Sequence, residues 1–302
     1  MSPTDFSPRF PEALDSTMLS AFRSCPRKFY WEYIRRLRPK GTSIHLHAGG
    51  AFARGLEVAR KAYYDLGASQ EQALQLGIAA LLKAYGPEFQ VDDDHAKSPR
   101  AMCEALIGYL DRWPFQTDYL QPVKQNGRHW IEFRFALPMP VNHPETGQPL
   151  FYTGRCDMVG NFNGMIYTDD EKTCSSMGEG WARQFDMRGQ FMGYNWAARQ
   201  HGFPVVGTIV RGIKLIKSGQ DFAETIVMHS EAMLAQWYGQ TVRDMRRMVQ
   251  LWHEGIWDMN FADSCQSFSG CPFARLDQTP SPEGYFDVYY QENTWNPLNK
   301  ED

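Results

Sequence analysis

Apolar positions change their period partway along the chain. From Thr17 the pattern is helical, with Phe29, Tyr30, Tyr33, Ile34 and Leu37 at helical spacing. Thr17 is the expected cap of a short helix ending near Ser24. Cys25 is the expected cap of a second helix, with Pro26 in its first turn. The segments GGAFARGLEVARKAYYDLG and SQEQALQLGIAALLKAYG predict two more helices, stopped by Gly67 and Gly86. A charged loop, VDDDHAKSP, then precedes a helix over roughly residues 99–112. Residues 1–15 hold three prolines and little periodicity, which predicts an extended arm.

The middle of the chain switches to period two. HWIEFRFAL alternates, with Trp130, Glu132, Arg134 and Ala136 on one face and Ile131, Phe133, Phe135 and Leu137 on the other. A turn-rich segment, PMPVNHPETGQP, leads into a second strand, LFYTGRCDMVG. NFNG reads as a hairpin turn and MIYTDDEKT as the returning strand. A helix over about residues 181–200 follows, then strands in PVVGTIVRGIKLI and DFAETIVMHS, and the long helix SEAMLAQWYGQTVRDMRRMVQLWHEG. This order predicts an α/β (α+β) fold with a mixed central sheet flanked by helices. Residues 16–302 are expected to form one domain: a helical part over 16–115, a sheet core over 126–232, and a C-terminal helix and cysteine-bearing tail over 233–302.

Composition narrows the function little. With 43 % hydrophobic and 22 % charged residues the chain is ordinary for a globular protein, and 302 residues suffice for one large domain or two modest ones. A net charge of −4 excludes a wholesale basic coat but not a local basic groove for nucleic acid. No apolar run is long enough for a transmembrane helix, and the N-terminal stretch lacks the basic-then-apolar order of a signal peptide. The six cysteines are sparse, so reduced thiols and a cytoplasmic location are expected.

The hairpin carries the candidate chemistry. Asp157, Asp169, Asp170, Glu171 and Lys172 are packed closely, and like charges at this density cost free energy unless a cation sits among them. Strand alternation sends Asp170 and Lys172 to one face and Glu171 to the other, with Asp157 in cross-strand reach. Two converging carboxylates suit Mg²⁺ or Mn²⁺, and the ammonium beside them suits an attacking water or a developing negative charge. On spacing alone, an exposed hairpin with solvated charges explains the cluster equally well.

The ordered combination of motifs resembles the PD-(D/E)XK nuclease superfamily in its RecB-type branch, which includes phage and helicase-associated exonucleases and the CRISPR adaptation nuclease. The matching elements are Gly154 to Asp157, Asp170 to Thr173, and Gln190 to Tyr194; the segment LSAFRSCPRKFYWEYI also resembles the family's opening helix. The resemblance spans roughly Met18 to Phe273. It implies a restriction-endonuclease-like fold, Asp157 and Asp170 as metal ligands, and Lys172 as the catalytic lysine. Glu132 resembles a family acid that helps shape the site, with an outward-facing strand glutamate as the alternative. Gln190 and Tyr194, presented on one helical face, resemble a pair that contacts substrate or positions the lysine; a partly buried helix face is the plainer reading.

Two departures stand out. The family pattern G-x-x-x-H-x-x-x-E keeps Gly49 and Glu57 here, but Ala53 stands in the place of the histidine. Water or Glu57 is left to fill the gap; His45 and His47, in a glycine-flanked loop, are the alternative substitutes but read first as surface residues. Several relatives also hold an iron–sulfur cluster on one N-terminal and three C-terminal cysteines. Cys25, Cys265 and Cys271 match three positions, while Asp277 or Ala262 falls at the fourth, so a vestigial site is expected ahead of a bound cluster. Cys103, Cys156 and Cys174 read as buried thiols.

The resemblance therefore implies a metal-dependent deoxyribonuclease acting on DNA ends or single strands, alongside a helicase, recombination or other DNA-processing partner. RRLRPK and RDMRRM are its candidate phosphate contacts. The alternative is a nucleic-acid-binding or assembly module that keeps the fold after losing part of the metal shell.

Overall fold

Asp15 rather than Thr17 caps the first helix in the computed structural model, which describes residues 5–41, 43–87, 91–261, 265, 270–295 and 297–298. Its carboxylate accepts from the Thr17 and Met18 amides at 2.9 Å each. An anion there satisfies two orphan donors and complements the helix dipole, which a neutral hydroxyl does less well. In chain order the principal elements are β1 (Ala13–Leu14), α1 (Ser16–Ser24), α2 (Ile44–Tyr64), α3 (Gln70–Tyr85), α4 (Pro99–Arg112), β2 (Ile131–Asn142), β3 (Pro149–Phe162), β4 (Met165–Cys174), α5 (Gly189–Gln200), β5 (Val205–Ile216), β6 (Gly219–Met228) and α6 (Glu231–Glu254). This is the expected mixed α/β class, with helices leading and a mixed sheet in the middle of the chain.

The chain divides into two compact units. One comprises Thr42–Arg134 and Arg155–Leu234. Here β3 and β4 form an antiparallel hairpin, from Met158↔Asp169 to Phe162↔Met165, around Asn163 and Gly164. Both turn residues have positive φ, 51° and 80°, the conformation that a two-residue hairpin loop requires and that Asn-Gly supplies. β4 then pairs parallel with β5, and β5 antiparallel with β6. Helices α2, α3 and α4 build a core from Phe52, Leu56, Leu81, Leu106 and Tyr109, which reaches Ile213 and Leu215 of β5. α2 passes close to the end of β4, where a Cβ on Gly49 would lie 3.1 Å from the Thr173 hydroxyl oxygen.

The other unit comprises Met1–Gly41, Phe135–Gly154 and Ala235–Asp302. Ala13 and Leu14 pair in parallel with Phe151 and Tyr152, so the expected arm contributes a short strand. Its core joins Phe6, Trp31 and Leu37 to Phe273, Leu276, Phe286 and Tyr290. Leu37–Pro39 pairs antiparallel with Tyr290–Glu292, which ties the early and late segments together.

Three boundaries differ from the sequence pattern. β2 runs on to Asn142 through Pro138 and Pro140, both exposed; a strand bonded on one side tolerates the missing amide donors. The helix expected over 181–200 is broken into Gly180–Arg183 and α5. α2 begins at Ile44 under a Ser43 cap, so His45 and His47 lie in its first turn and not in a loop. Among the described residues, no helix is long and apolar enough to cross a membrane.

Candidate active site

β4 delivers four charged side chains in succession, and alternation sorts them. Asp170 and Lys172 share one face, with Lys172 Nζ 2.5 Å from Asp170 Oδ2 and 5.9 Å from the centre of the Phe191 ring on α5. Asp169 and Glu171 turn to the opposite face, towards Arg60 of α2 and Tyr109 of α4. The ladder ends at Met158↔Asp169, one residue before Asp157 and Asp170, and the Asp170 charge is among those that act on Asp157. Asp157 Oδ2 accepts the Glu171 backbone N–H at 2.8 Å, which fixes this carboxylate on the neighbouring strand.

Glu132 does not follow the alternation assigned to it. Ile131, Glu132 and Phe133 are all buried, because Glu132 has a φ of 55°. That left-handed conformation interrupts the pleat and costs a β-strand glutamate about 1–3 kcal/mol. It turns the carboxylate inward, where Oε2 lies 2.9 Å from Arg155 Nε. The outward-facing alternative is thereby overturned.

The site is electrically unbalanced. Burial pushes the Asp157 carboxyl well above the usual carboxylate range, and the neighbouring charges of Glu171, Asp170 and Glu132 push it further. Burial also raises Asp170, against the pull of Lys172. Glu132 is raised to about 7, chiefly by burial, with Arg155 opposing and Glu57 adding to the rise. Glu171 is the exception: burial works upward, but the Arg60 charge and hydrogen bonds hold it below its ordinary value. Asp170 Oδ2 and Glu132 Oε2 each face a cation, Lys172 and Arg155, whereas Asp169 Oδ1 is buried without a hydrogen-bond partner.

These features fit a divalent cation. Asp157 and Asp170 supply hard oxygen donors in an environment that penalises their negative charge until a cation offsets it. Among the described residues no three His, Cys, Asp or Glu are grouped to hold a metal. Two carboxylates with substrate and water completing the shell is a common arrangement for Mg²⁺. Glu57, one turn beyond Ala53, is paired with two cations: Lys61 and Arg54 donate to it at 2.6 and 2.9 Å, and together they outweigh burial and lower its pKa. His47 Nε2 is engaged with the Tyr85 carbonyl at 2.5 Å.

Gln190 and Tyr194 do meet. Gln190 Nε2 donates to the Tyr194 hydroxyl at 2.8 Å. Burial raises the phenol pKa, and the nearby Asp170 and Asp157 charges raise it further, which places the ring beside both acids. The pattern of the sequence missed Arg60, Tyr109 and Arg211. A signal existed for Arg60, which falls four residues after Leu56 and eight after Phe52, a cation on the apolar stripe of α2.

In the other unit the three matched cysteines gather near Asn260. Cys25 Sγ accepts from its backbone N–H at 3.4 Å, and Cys265 Sγ donates to its carbonyl at 3.1 Å. The Cys271 thiol is raised by burial and then by the fields of Cys265, Asp277 and Cys25. Asp277 Oδ1 is already committed to Arg27 Nε and Trp31 Nε1, each at 2.8 Å, so it is not a free fourth ligand. Ala262 lies outside the described residues. Cys156 is buried as expected, whereas Cys103 and Cys174 are half-buried. RRLRPK is largely engaged internally: Arg35 donates to the Phe6 carbonyl, Arg36 to that of Ser7, and Lys40 to that of Asp287. In RDMRRM, Arg243 and Arg246 stay exposed.

Glu132 gives the site a pH signature. A carboxyl raised from an ordinary 4.5 to about 7 on folding contributes stability that is present below 4.5 and lost as the pH rises through 7. A shift of this size is worth on the order of 3 kcal/mol. Thermal melts in chelator at pH 5 and pH 8 are therefore expected to show a smaller loss of stability in Glu132→Gln than in the wild type. Equal losses in both proteins would remove Glu132 from this account.

A family model for the PD-(D/E)XK nuclease superfamily matches residues 16–276. The crystal structure of an Eubacterium rectale protein named "Putative exonuclease" is similar to this chain with a TM-score of 0.47 and 14 % identity, covering 89 % of this chain and 93 % of that one. The crystal structure of SSO0001 covers 80 % of this chain and 98 % of its own, with a TM-score of 0.32 and 14 % identity. Among curated proteins, none matches the chain significantly.

Proposed function

The chain belongs to the PD-(D/E)XK nuclease superfamily, and from its acidic site we propose that it is a divalent-metal-dependent deoxyribonuclease acting on DNA ends or single strands. The observation that carries this reading is the pairing of Lys172 with Asp170 at 2.5 Å near Asp157, within a cluster of buried carboxylates whose pKa values burial raises. Asp157 and Asp170 would hold Mg²⁺ or Mn²⁺. Such a cation, when bound, activates water and neutralises phosphate charge. The other contributions come from the chain itself. Lys172, with its side chain 27 % exposed, is open enough to meet a phosphate and places a fixed positive charge where negative charge develops. Asp170 holds that ammonium in place. The Tyr194 ring and Gln190 form one wall beside the two acids.

End-labelled single-stranded and duplex DNA, incubated with Mg²⁺, Mn²⁺ or chelator, tests the proposal. Cleavage in either metal, none in chelator, and resistance of closed circular duplex are expected. Cleavage of the closed circle would replace end-directed action by endonuclease action. A protein that binds DNA but cuts it in neither metal would favour the non-catalytic module, the reading that Ala53 in place of the family histidine supports.

A further inference from the structure

The far face of β4 is more elaborately built than a structural backing requires. Arg60, 3 % exposed, donates to Asp169 Oδ2 at 2.9 Å, to the Tyr109 hydroxyl at 3.0 Å and to Glu171 Oε2 at 3.2 Å, and also to Glu171 Oε1. The Tyr109 hydroxyl donates onward to Glu171 Oε1 at 2.7 Å and accepts from Arg211 Nη1 at 3.2 Å. Arg211 stands directly across from Glu171 on β5 and is clamped by both oxygens of Asp118, at 2.6 and 2.7 Å. Glu171 is thus gripped on both carboxylate oxygens by a guanidinium fork and on one by a phenol. The Glu171 carboxylate also interacts with that of Asp157, so this residue joins the network to the acidic site.

A second, directional connection to Asp157 runs through the backbone of Glu171. Its N–H is the donor to Asp157 Oδ2. We propose that Arg60 is a positioning residue for the acidic site: it locks Glu171, and the locked Glu171 peptide aims the Asp157 carboxylate. The geometry argues for aim over mere charge balance. A buried ion network is weak support for stability, since apolar replacements are often neutral or better, whereas a bidentate fork fixes direction. With Oδ2 pinned by the amide, Asp157 keeps one orientation. If the side chain of Glu171 is freed, its peptide can tilt and that orientation is lost. The inference rests on the nuclease reading, in which Asp157 is a cation ligand.

Arg60→Lys tests it, because lysine keeps the charge and loses the fork. Mn²⁺ affinity is measured by calorimetry or by the spin signal of free Mn²⁺, beside a thermal melt, with cleavage split into kcat and KM. Weaker Mn²⁺ binding is expected, by about 10–100-fold as is typical when the support of a metal ligand is removed. Turnover should fall with little change in KM for DNA, and the melting temperature should stay close to that of the wild type. Tyr109→Phe, which leaves every charge in place, decides the matter should Arg60→Lys not fold, and is expected to weaken Mn²⁺ binding in the same direction. Mn²⁺ affinity within twofold of wild type in the deciding variant would overturn the proposal and leave Arg60 a charge-balancing residue. A wild-type protein that binds no Mn²⁺, or whose binding survives Asp170→Asn, would overturn the nuclease reading and this inference with it. The two failures are therefore distinguishable.

Discussion

Lys172→Ala is expected to abolish cleavage in practice while leaving DNA affinity nearly intact. The ammonium shares a strand face with Asp170 and lies 2.5 Å from its Oδ2. A residue that acts mainly in the transition state lowers turnover when removed, and substrate affinity reports little of the loss. Losing such assistance typically costs roughly 10²–10⁴-fold. Single-turnover cleavage should show that loss, and gel shifts at several salt concentrations should show a slope close to that of the wild type. Wild-type cleavage in Lys172→Ala would sink the assignment. Weakened binding with unchanged turnover would recast Lys172 as a phosphate clamp. The mutation also removes the ammonium paired with Asp170, so Lys172→Arg is the useful companion. It restores charge but not the compact ammonium, and is expected to recover stability more than rate.

Much of this site was legible because strand alternation and hairpin chemistry are local. Asn163–Gly164 fixes the turn, the turn fixes the register, and the register brings Asp157 and Asp170 to the same end of the ladder. From there the separation of Lys172 and Glu171 to opposite faces follows without further information. What the pattern could not show is non-local or depends on a single dihedral. Glu132 is buried by one positive φ, which no alternation rule anticipates. Arg60 reaches Glu171 across more than a hundred residues of sequence, and Arg211 reaches Asp118 across a similar span. Local periodicity registers such cations only as exceptions on an apolar stripe. The pairing of Glu57 was hidden for a related reason: its partners, Arg54 and Lys61, sit one turn away on the same helix, but only packing reveals that both are turned onto it.

Asp157→Asn is expected to move activity and stability in opposite directions. Asparagine keeps the shape, and its carbonyl oxygen can still accept the Glu171 N–H, so the local fold should survive. It removes a negative charge that is buried and faces Glu171, Asp170 and Glu132. A carboxyl whose folded pKa lies above its unfolded value contributes stability at low pH that is lost as the pH rises. In chelator the variant should therefore melt higher than the wild type at pH 8, with the difference shrinking towards pH 4. Added Mg²⁺ or Mn²⁺ should reverse the order, because a ligand that binds only the folded state stabilises the wild type by mass action and the variant loses half of the paired carboxylates. Cleavage should fall by at least about 10²-fold, the scale for removing one preorganised charge-stabilising group. An Asp157→Asn protein that gains as much thermal stability from Mn²⁺ as the wild type would show that this carboxylate does not hold the cation. A variant less stable than the wild type at pH 8 in chelator would show instead that the buried charge has a compensating partner beyond the Glu171 amide.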